Sequence, residues 1–537
     1  MVQGGEIHAA ELVFLVLLLF VVIFAALARK LQTPYPIVLV IAGLLLSFVP
    51  GTPKIPLNPD VIFLLVLPPL LYSAAWLTSW RDFKANLVSI LMLAFGLVGF
   101  TVLGVAAAAH WLFPGFDWRL GCVLGAVVAP TDAIAATAIA KRLGLPQRIV
   151  DVLEGESLVN DASGLLALEF AITMVVEGRT PTLISGALRL ILLVAVGLAI
   201  GLVVGLAVEW IERRIDDGPI EIALSILTPY AVYLAAESVR ASGVLAVVAC
   251  GLYLSRRSSQ FFSANVRLQA WAVWDSLTFV INGLVFVLIG LQLPHVLAGI
   301  RDYSVRELLL YGALFSAIVI VLRLLWMFPG ANLAHLIRTH ILGHSYARPT
   351  AKQVFVVGWT GMRGVVALAA AIALPEALAD GRVFPQRNLI VFMTFSVILV
   401  TLVLQGLTLP PLIRALGLAS AGGRDHAEEE EARRIITSAA LAHLEESRGQ
   451  DVPDFAAVYD DIARRYARRL ASLSKESTDS NGMSNQELQR YRAVLSELLR
   501  LERKTAVRLR NEGRINDEVL RTIEHELDLS ETRMALS

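Results

Sequence analysis

Apolar residues run along this chain in blocks near twenty residues long, separated by short polar loops. Runs and flanks together give thirteen spans, near 12–28, 36–50, 59–78, 85–111, 119–141, 154–176, 184–211, 220–239, 243–255, 270–293, 307–328, 353–374 and 389–412. A hydrocarbon layer about 30 Å thick takes roughly 20 helical residues to cross, so the pattern is that of an all-α, multi-pass membrane protein. The second and ninth spans are the shortest of the set. Past residue 420 the pattern changes, and apolar positions recur at helical spacing among charged ones through 435–444, 455–473 and 488–509. We therefore divide the chain into a transmembrane domain, 1–420, and a helical C-terminal domain, 421–537. Within the latter, the Ser/Asn-rich stretch 472–485 reads as a linker, and the run 428–431 as a solvated helix face.

Two spans are interrupted in a comparable way. The fifth has Pro130 near its middle, followed by Thr131 and Asp132; the twelfth has Gly358, Gly361 and Gly364 around Arg363. Proline removes a backbone hydrogen bond and glycine weakens a helix, so each span can unwind locally. Interrupted helices at matching positions of two halves point to a transporter's midplane site. Spans one to six and eight to thirteen, joined by the seventh, put the two breaks in equivalent places. The extra linking span makes the halves run in opposite senses, as an inverted repeat requires.

Composition sharpens this picture. Apolar residues make up 56% of the 537 and the mean hydropathy is +0.66, more than a soluble surface accommodates. The first run, 12–28, is long enough to span, and no cleavable leader pattern precedes it. Net charge is zero, yet from residue 421 onward there are 19 Lys/Arg against 23 Asp/Glu, with no basic excess to attract nucleic acid. Loops after odd-numbered spans hold 15 Lys/Arg and loops after even-numbered ones hold 8. The richer set belongs on the inside, which puts the N-terminus outside and the C-terminal domain in the cytoplasm. Cys122 and Cys250 both lie in apolar runs and imply neither a disulfide framework nor a thiolate metal site.

Carboxylates inside these spans are the candidate chemistry. A charged group at mid-bilayer costs at least about 2.5–3.5 kcal/mol, so paired acids there imply a bound and moved cation. Ser157, Asn160 and Asp161 fall at i, i+3, i+4 and share one helix face, which Gly164 continues. Asp132 and Thr131 adjoin the presumed break. Asp161, Asp132, Ser157, Thr131 and freed backbone carbonyls make a hard oxygen set suited to a small alkali cation, and no His or Cys joins them. A buried carboxylate takes a proton when no metal ion is present and releases it when one binds. Competition for one site, with access from alternate sides, makes an exchanger. Asn160 beside Asp161 leaves one titratable group at that turn, which favours one monovalent ion against one proton with no net charge moved.

Arg363 needs an opposite charge in hydrocarbon, and Glu156 is the partner the sequence offers; we assign this pair a structural role. Glu11, Glu209 and Glu237 read as acids that snorkel to an interface. Asp275, Asn282 and Arg323 fit helix-bundle polar contacts as well as ion handling, and Trp271, Trp274 and Trp326 fit interfacial anchoring or packing.

In Pro130-Thr131-Asp132, in the string Glu156 to Asp161, and in Gly361-Met362-Arg363-Gly364, the chain resembles the monovalent cation/proton antiporters of the first cation–proton antiporter family. The resemblance covers roughly residues 10–415. It implies the sodium/proton antiporter fold: a homodimer of thirteen-helix subunits with crossed, unwound fifth and twelfth helices in the bacterial cell membrane. It also implies that Asp161 is the main ion- and proton-binding acid, surrounded by Asp132, Thr131, Ser157 and Asn160, with Glu156 and Arg363 as a stabilising ion pair. Electrogenic relatives have a second Asp where this chain has Asn160, so the match favours the electroneutral branch. Asp275 departs from the Glu expected in the tenth span.

Exchange of Na⁺ (or Li⁺) for H⁺ is therefore the first expectation, serving ion transport and pH regulation, with K⁺/H⁺ exchange the nearest variant; no cofactor is expected. A channel would need repeated filter loops or rings of like residues, and an intramembrane enzyme would need a two-His-plus-Glu or Ser/His pattern; the sequence offers neither.

Overall fold

In the computed structural model, described residues are 2–50, 57–113, 115–178, 183–300, 303–343, 348–378, 382–419, 422–450, 456–473 and 485–512, with scattered positions from 514 to 530. The chain divides into two compact units, Met1–Ala421 and Gly422–Ser537. Among the described residues the structure is helical, with one isolated bridge between Ala377 and Val383.

The first unit begins with α1 (Val2–Lys30), α2 (Tyr35–Leu46), α3 (Pro59–Leu77) and α4 (Trp80–Leu112). The next pair, α5 (Trp118–Val128) and α6 (Ile134–Arg142), is one broken span. Then come α7 (Gln147–Val176), α8 (Leu183–Glu212), α9 (Gly218–Ser238), α10 (Gly243–Phe261), α11 (Ala264–Leu291) and the short α12 (Leu293–Ala298). After α13 (Val305–Leu336), a second broken span consists of α14 (Ala351–Trp359) and α15 (Val365–Ile372), and α16 (Arg387–Ala415) closes the unit.

Nine helices among the described residues are long and apolar enough to cross a membrane, against the thirteen crossings read from the sequence. The difference has physical causes. α2 has only 12 residues, α10 ends in charged residues at Arg256 and Arg257, and the two broken spans offer only short halves.

Small residues set the closest helix contacts, because without a side chain two backbones can touch. A Cβ on Gly43 of α2 would lie 2.5 Å from the Val287 carbonyl of α11, and one on Gly290 would lie 2.4 Å from the Val40 carbonyl. Gly121 and Gly125 fit α5 equally closely against Ala106 and Val102 of α4. These contacts, together with the packing of α7 against α4 and α5, enclose the two breaks in the interior.

Other polar side chains settle locally. Glu209, in the last turn of α8, is covered by its neighbours: Arg213, itself half exposed, pairs with it at 2.6 Å and the Tyr253 hydroxyl donates to it. Glu237 is exposed, and the Glu11 side chain lies outside the described residues. Trp274 and Trp326 pack inward, donating to Ser225 Oγ and the Met92 carbonyl, while Trp271 is exposed.

In the second unit α17 (Gly422–Gln450) packs on α18 (Ala456–Leu473), with Arg448 and Asp460 paired at 2.9 Å. A third helix, α19 (Asn485–Asn511), follows; the expected linker lies largely outside the described residues. Glu431 is exposed and paired with Arg434 at 2.6 Å.

Candidate functional site

Residues 129–133 and 360–364 are the two unwound segments, and they touch: the Asp132 amide donates to the Met362 carbonyl at 2.8 Å. Pro130 and Gly361 lie within the unwound turns, whereas Gly358 remains in the last turn of α14. Two positions require glycine for space. A Cβ on Gly364 would come within 2.3 Å of Asp132 Oδ2, and one on Gly361 within 2.2 Å of Arg323 Cδ. Across the site, the Pro130 ring lies against Gly164 of α7, where a Cβ would be 2.3 Å away.

Each break leaves a helix C-terminus inside the protein, with carbonyls that lack helical partners and a partial negative charge. An arginine meets each one. Arg363 donates from Nε to the Val128 carbonyl that ends α5, at 2.9 Å, and from Nη1 to the Gly361 carbonyl. Arg323, from α13, donates to the Gly358 carbonyl at 3.1 Å and to the Val357 carbonyl at 3.2 Å at the end of α14.

Glu156 goes to Arg323, not to Arg363, which corrects the sequence expectation. Arg323 Nη1 and Nη2 reach Glu156 Oε1 and Oε2 at 2.5 and 2.9 Å, a bidentate pair, with Arg323 and Glu156 each 1% exposed. The guanidinium of Arg363 is taken up by carbonyls of both breaks, so a carboxylate is not its direct partner. Arg323 was the residue sequence reasoning undervalued. Its signal was present, since an arginine well inside an apolar run must be satisfied.

The ion pair continues into the first break. Thr131 Oγ1 donates to Glu156 Oε1 at 2.8 Å and accepts from Asn160 Nδ2 at 2.6 Å. Asn160 Oδ1 is buried without a partner among the described residues. Asp132 Oδ1 accepts from the Ile134 amide at 2.8 Å at the start of α6, and Ser157 Oγ accepts from the Ala133 amide at 3.4 Å. Asp161 is 8% exposed and has no hydrogen-bond partner among the described residues, which leaves its carboxylate to the space in front of it.

That space is a cavity of about 380 Å³. Asp161, Asp132, Thr131 and Ser157 line it; Asn160 does not, being turned into the Thr131 contact. Lys141 and Glu154 also line it, paired at 2.7 Å, and Tyr35 and Asn282 face it from α2 and α11. Carboxylates, hydroxyls and half-helix ends converge on one cavity inside an apolar bundle. This defines an integral membrane protein with a polar site at crossed helix breaks.

The comparisons with known proteins agree with that class. The family model described as sodium/hydrogen exchanger, transmembrane, matches residues 15–415, and the chain belongs to that family. It is 35% identical to an uncharacterised Na⁺/H⁺ exchanger of Mycobacterium tuberculosis, over 97% of this chain and 96% of that protein. It is 31% identical to a sodium, potassium, lithium and rubidium/H⁺ antiporter of Bacillus pumilus, over 87% of this chain and 70% of that one. The solved sodium/proton antiporter of Methanocaldococcus jannaschii shares the fold, with a TM-score of 0.57 at 19% identity, covering 77% of this chain and all of that one.

Proposed function

We propose that this protein exchanges Na⁺ or Li⁺ for H⁺ by alternating access, with cation and proton competing for Asp161. The observation that carries this reading is the Asp161 carboxylate, without a hydrogen-bond partner among the described residues, facing a cavity beside Asp132. Asp132, Ser157 and Thr131 supply further oxygens to the cation, and Asn160 keeps Thr131 in place. Thr131 is already engaged by Glu156 and Asn160, so its share is the lone pair those contacts leave.

Bound Na⁺ favours the charged carboxylate and bound H⁺ removes the charge, so one group cannot hold both. With a single titratable group at that turn, the exchange is electroneutral. The apparent KM for Na⁺ then rises as pH falls, because protons occupy the same oxygen atoms. The remaining parts of the reading are thirteen crossings in two inverted repeats, a homodimer in the bacterial inner membrane, an external N-terminus and a cytoplasmic C-terminal unit. The charge bias of the loops supports the orientation.

A dye-based antiport assay in everted vesicles, comparing Na⁺, Li⁺ and K⁺ from mildly acidic to alkaline pH, tests this. Asp161→Asn is expected to abolish exchange in a folded, inserted protein; proton-coupled Na⁺ flux retained by that variant refutes the assignment. K⁺/H⁺ exchange is the second reading, favoured by the printed substrate range of the Bacillus relative.

A further inference from the structure

A second chamber, of about 460 Å³, lies among α3, α9, α10 and α11. Its walls are aromatic. Tyr72 stands 5.3 Å from Trp274 and 5.8 Å from Trp76, ring centre to ring centre, and Trp76 stands 5.8 Å from Phe262. The rings are held in place: Trp274 Nε1 donates to Ser225 Oγ at 3.1 Å, and Tyr72 is 1% exposed. Asp275, next to Trp274, lines the same chamber and forms no ion pair among the described residues.

Half-buried aromatic rings beside one exposed carboxylate are a chemistry that recognises an organic cation. Ring faces present negative potential to an ammonium group, and the attraction is strongest where water is excluded. An alkali ion would forfeit its hydration shell to such walls, whereas a quaternary ammonium has no hydrogen bonds to lose. Arg267 also lines the chamber, at the first turn of α11 and two turns before Asp275, about 12 Å along the helix axis. Its Nη1 donates to the Phe262 carbonyl at 2.6 Å, which draws that charge away from Asp275.

We propose that this chamber binds a small quaternary ammonium ion, its cationic head against the half-buried rings of Trp76 and Trp274, which Tyr72 backs, and its charge matched by Asp275. The site is separate from the Asp161 cavity but continuous with it, because Ser73, Leu77 and Thr278 line both. An occupant would therefore stand in one route to Asp161. That consequence rests on the exchange reading above; the binding itself does not.

Choline and its neutral carbon isostere 3,3-dimethylbutan-1-ol make a matched pair of probes for the purified full-length protein, read by calorimetry. Choline is expected to bind saturably, and the alcohol at least about tenfold more weakly. Asp275→Asn and Trp76→Leu are each expected to weaken choline by about tenfold or more, with unchanged thermal unfolding. Asp161→Asn is expected to leave choline binding unchanged. Equal affinity for the two probes overturns the proposal, as does no binding of either. Loss of choline binding in Asp161→Asn but not in Asp275→Asn also overturns it, placing the ligand in the other cavity.

Discussion

Replacing Glu156 by glutamine removes one charge from the most enclosed ion pair in the site. Its carboxylate accepts three hydrogen bonds, from Arg323 Nη1 and Nη2 and from Thr131 Oγ1, at 2.5, 2.9 and 2.8 Å. Both charged partners are 1% exposed, so water cannot take over from the lost carboxylate. An unpaired buried guanidinium of this kind costs about 3–5 kcal/mol. The expected loss in the folded-to-unfolded ratio is therefore roughly two to three and a half orders of magnitude, at 1.4 kcal/mol per factor of ten. Unfolding in mixed micelles, run as a double-mutant cycle, isolates the pair. Glu156→Gln and Arg323→Met are each expected to destabilise, and the double variant to lose less than the sum, with a coupling of about 2 kcal/mol or more. The parallel cycle with Arg363→Met should show a smaller coupling, because Arg363 donates to the Val128 and Gly361 carbonyls instead. Additivity of Glu156 with Arg323, or stronger coupling to Arg363, refutes the assignment.

Three further outcomes are expected. Gly364→Ala should abolish exchange while the protein still inserts, because its Cβ would fall 2.3 Å from Asp132 Oδ2; normal transport with an unchanged KM in a vesicle assay would show that Asp132 need not hold its position. Clamping the membrane potential across proteoliposomes should leave the exchange rate unchanged, since one titratable group at the Asp161 turn trades one charge for one; rates that follow voltage would contradict electroneutrality. Truncation after Ala421 cuts between the two compact units and should alter the pH profile or expression while exchange persists; complete loss of exchange in a folded protein would make the C-terminal unit part of the transport machinery.

The acids were legible in the sequence because their expense is local: Asp132 and Asp161 stand inside apolar runs with no basic residue within eight positions of either. Pro130 and Gly361 were legible as helix breaks for the same reason, since backbone chemistry acts within a turn. The choice of partner for Glu156 was not. Arg323 and Arg363 both sit inside spans, and only the packing of α13 against α14 decides between them. Gly358 shows a similar limit. Glycine alone does not unwind a helix end whose carbonyl is held by Arg323. For Glu209 the Arg213 partner four residues on is visible to a local pattern, whereas the Tyr253 hydroxyl, 44 residues away, is not. Nor could hydropathy rank the short α2 against a full crossing, because its 12 residues are as apolar as their longer neighbours.

Calorimetric titration of the purified protein with Na⁺, in buffers of different ionisation enthalpy, addresses the competition at Asp161 most directly. The account predicts that sodium uptake expels one proton per ion in the wild type, and that Asp161→Asn neither binds sodium at the site nor expels a proton. Sodium binding with no proton leaving the protein would contradict it.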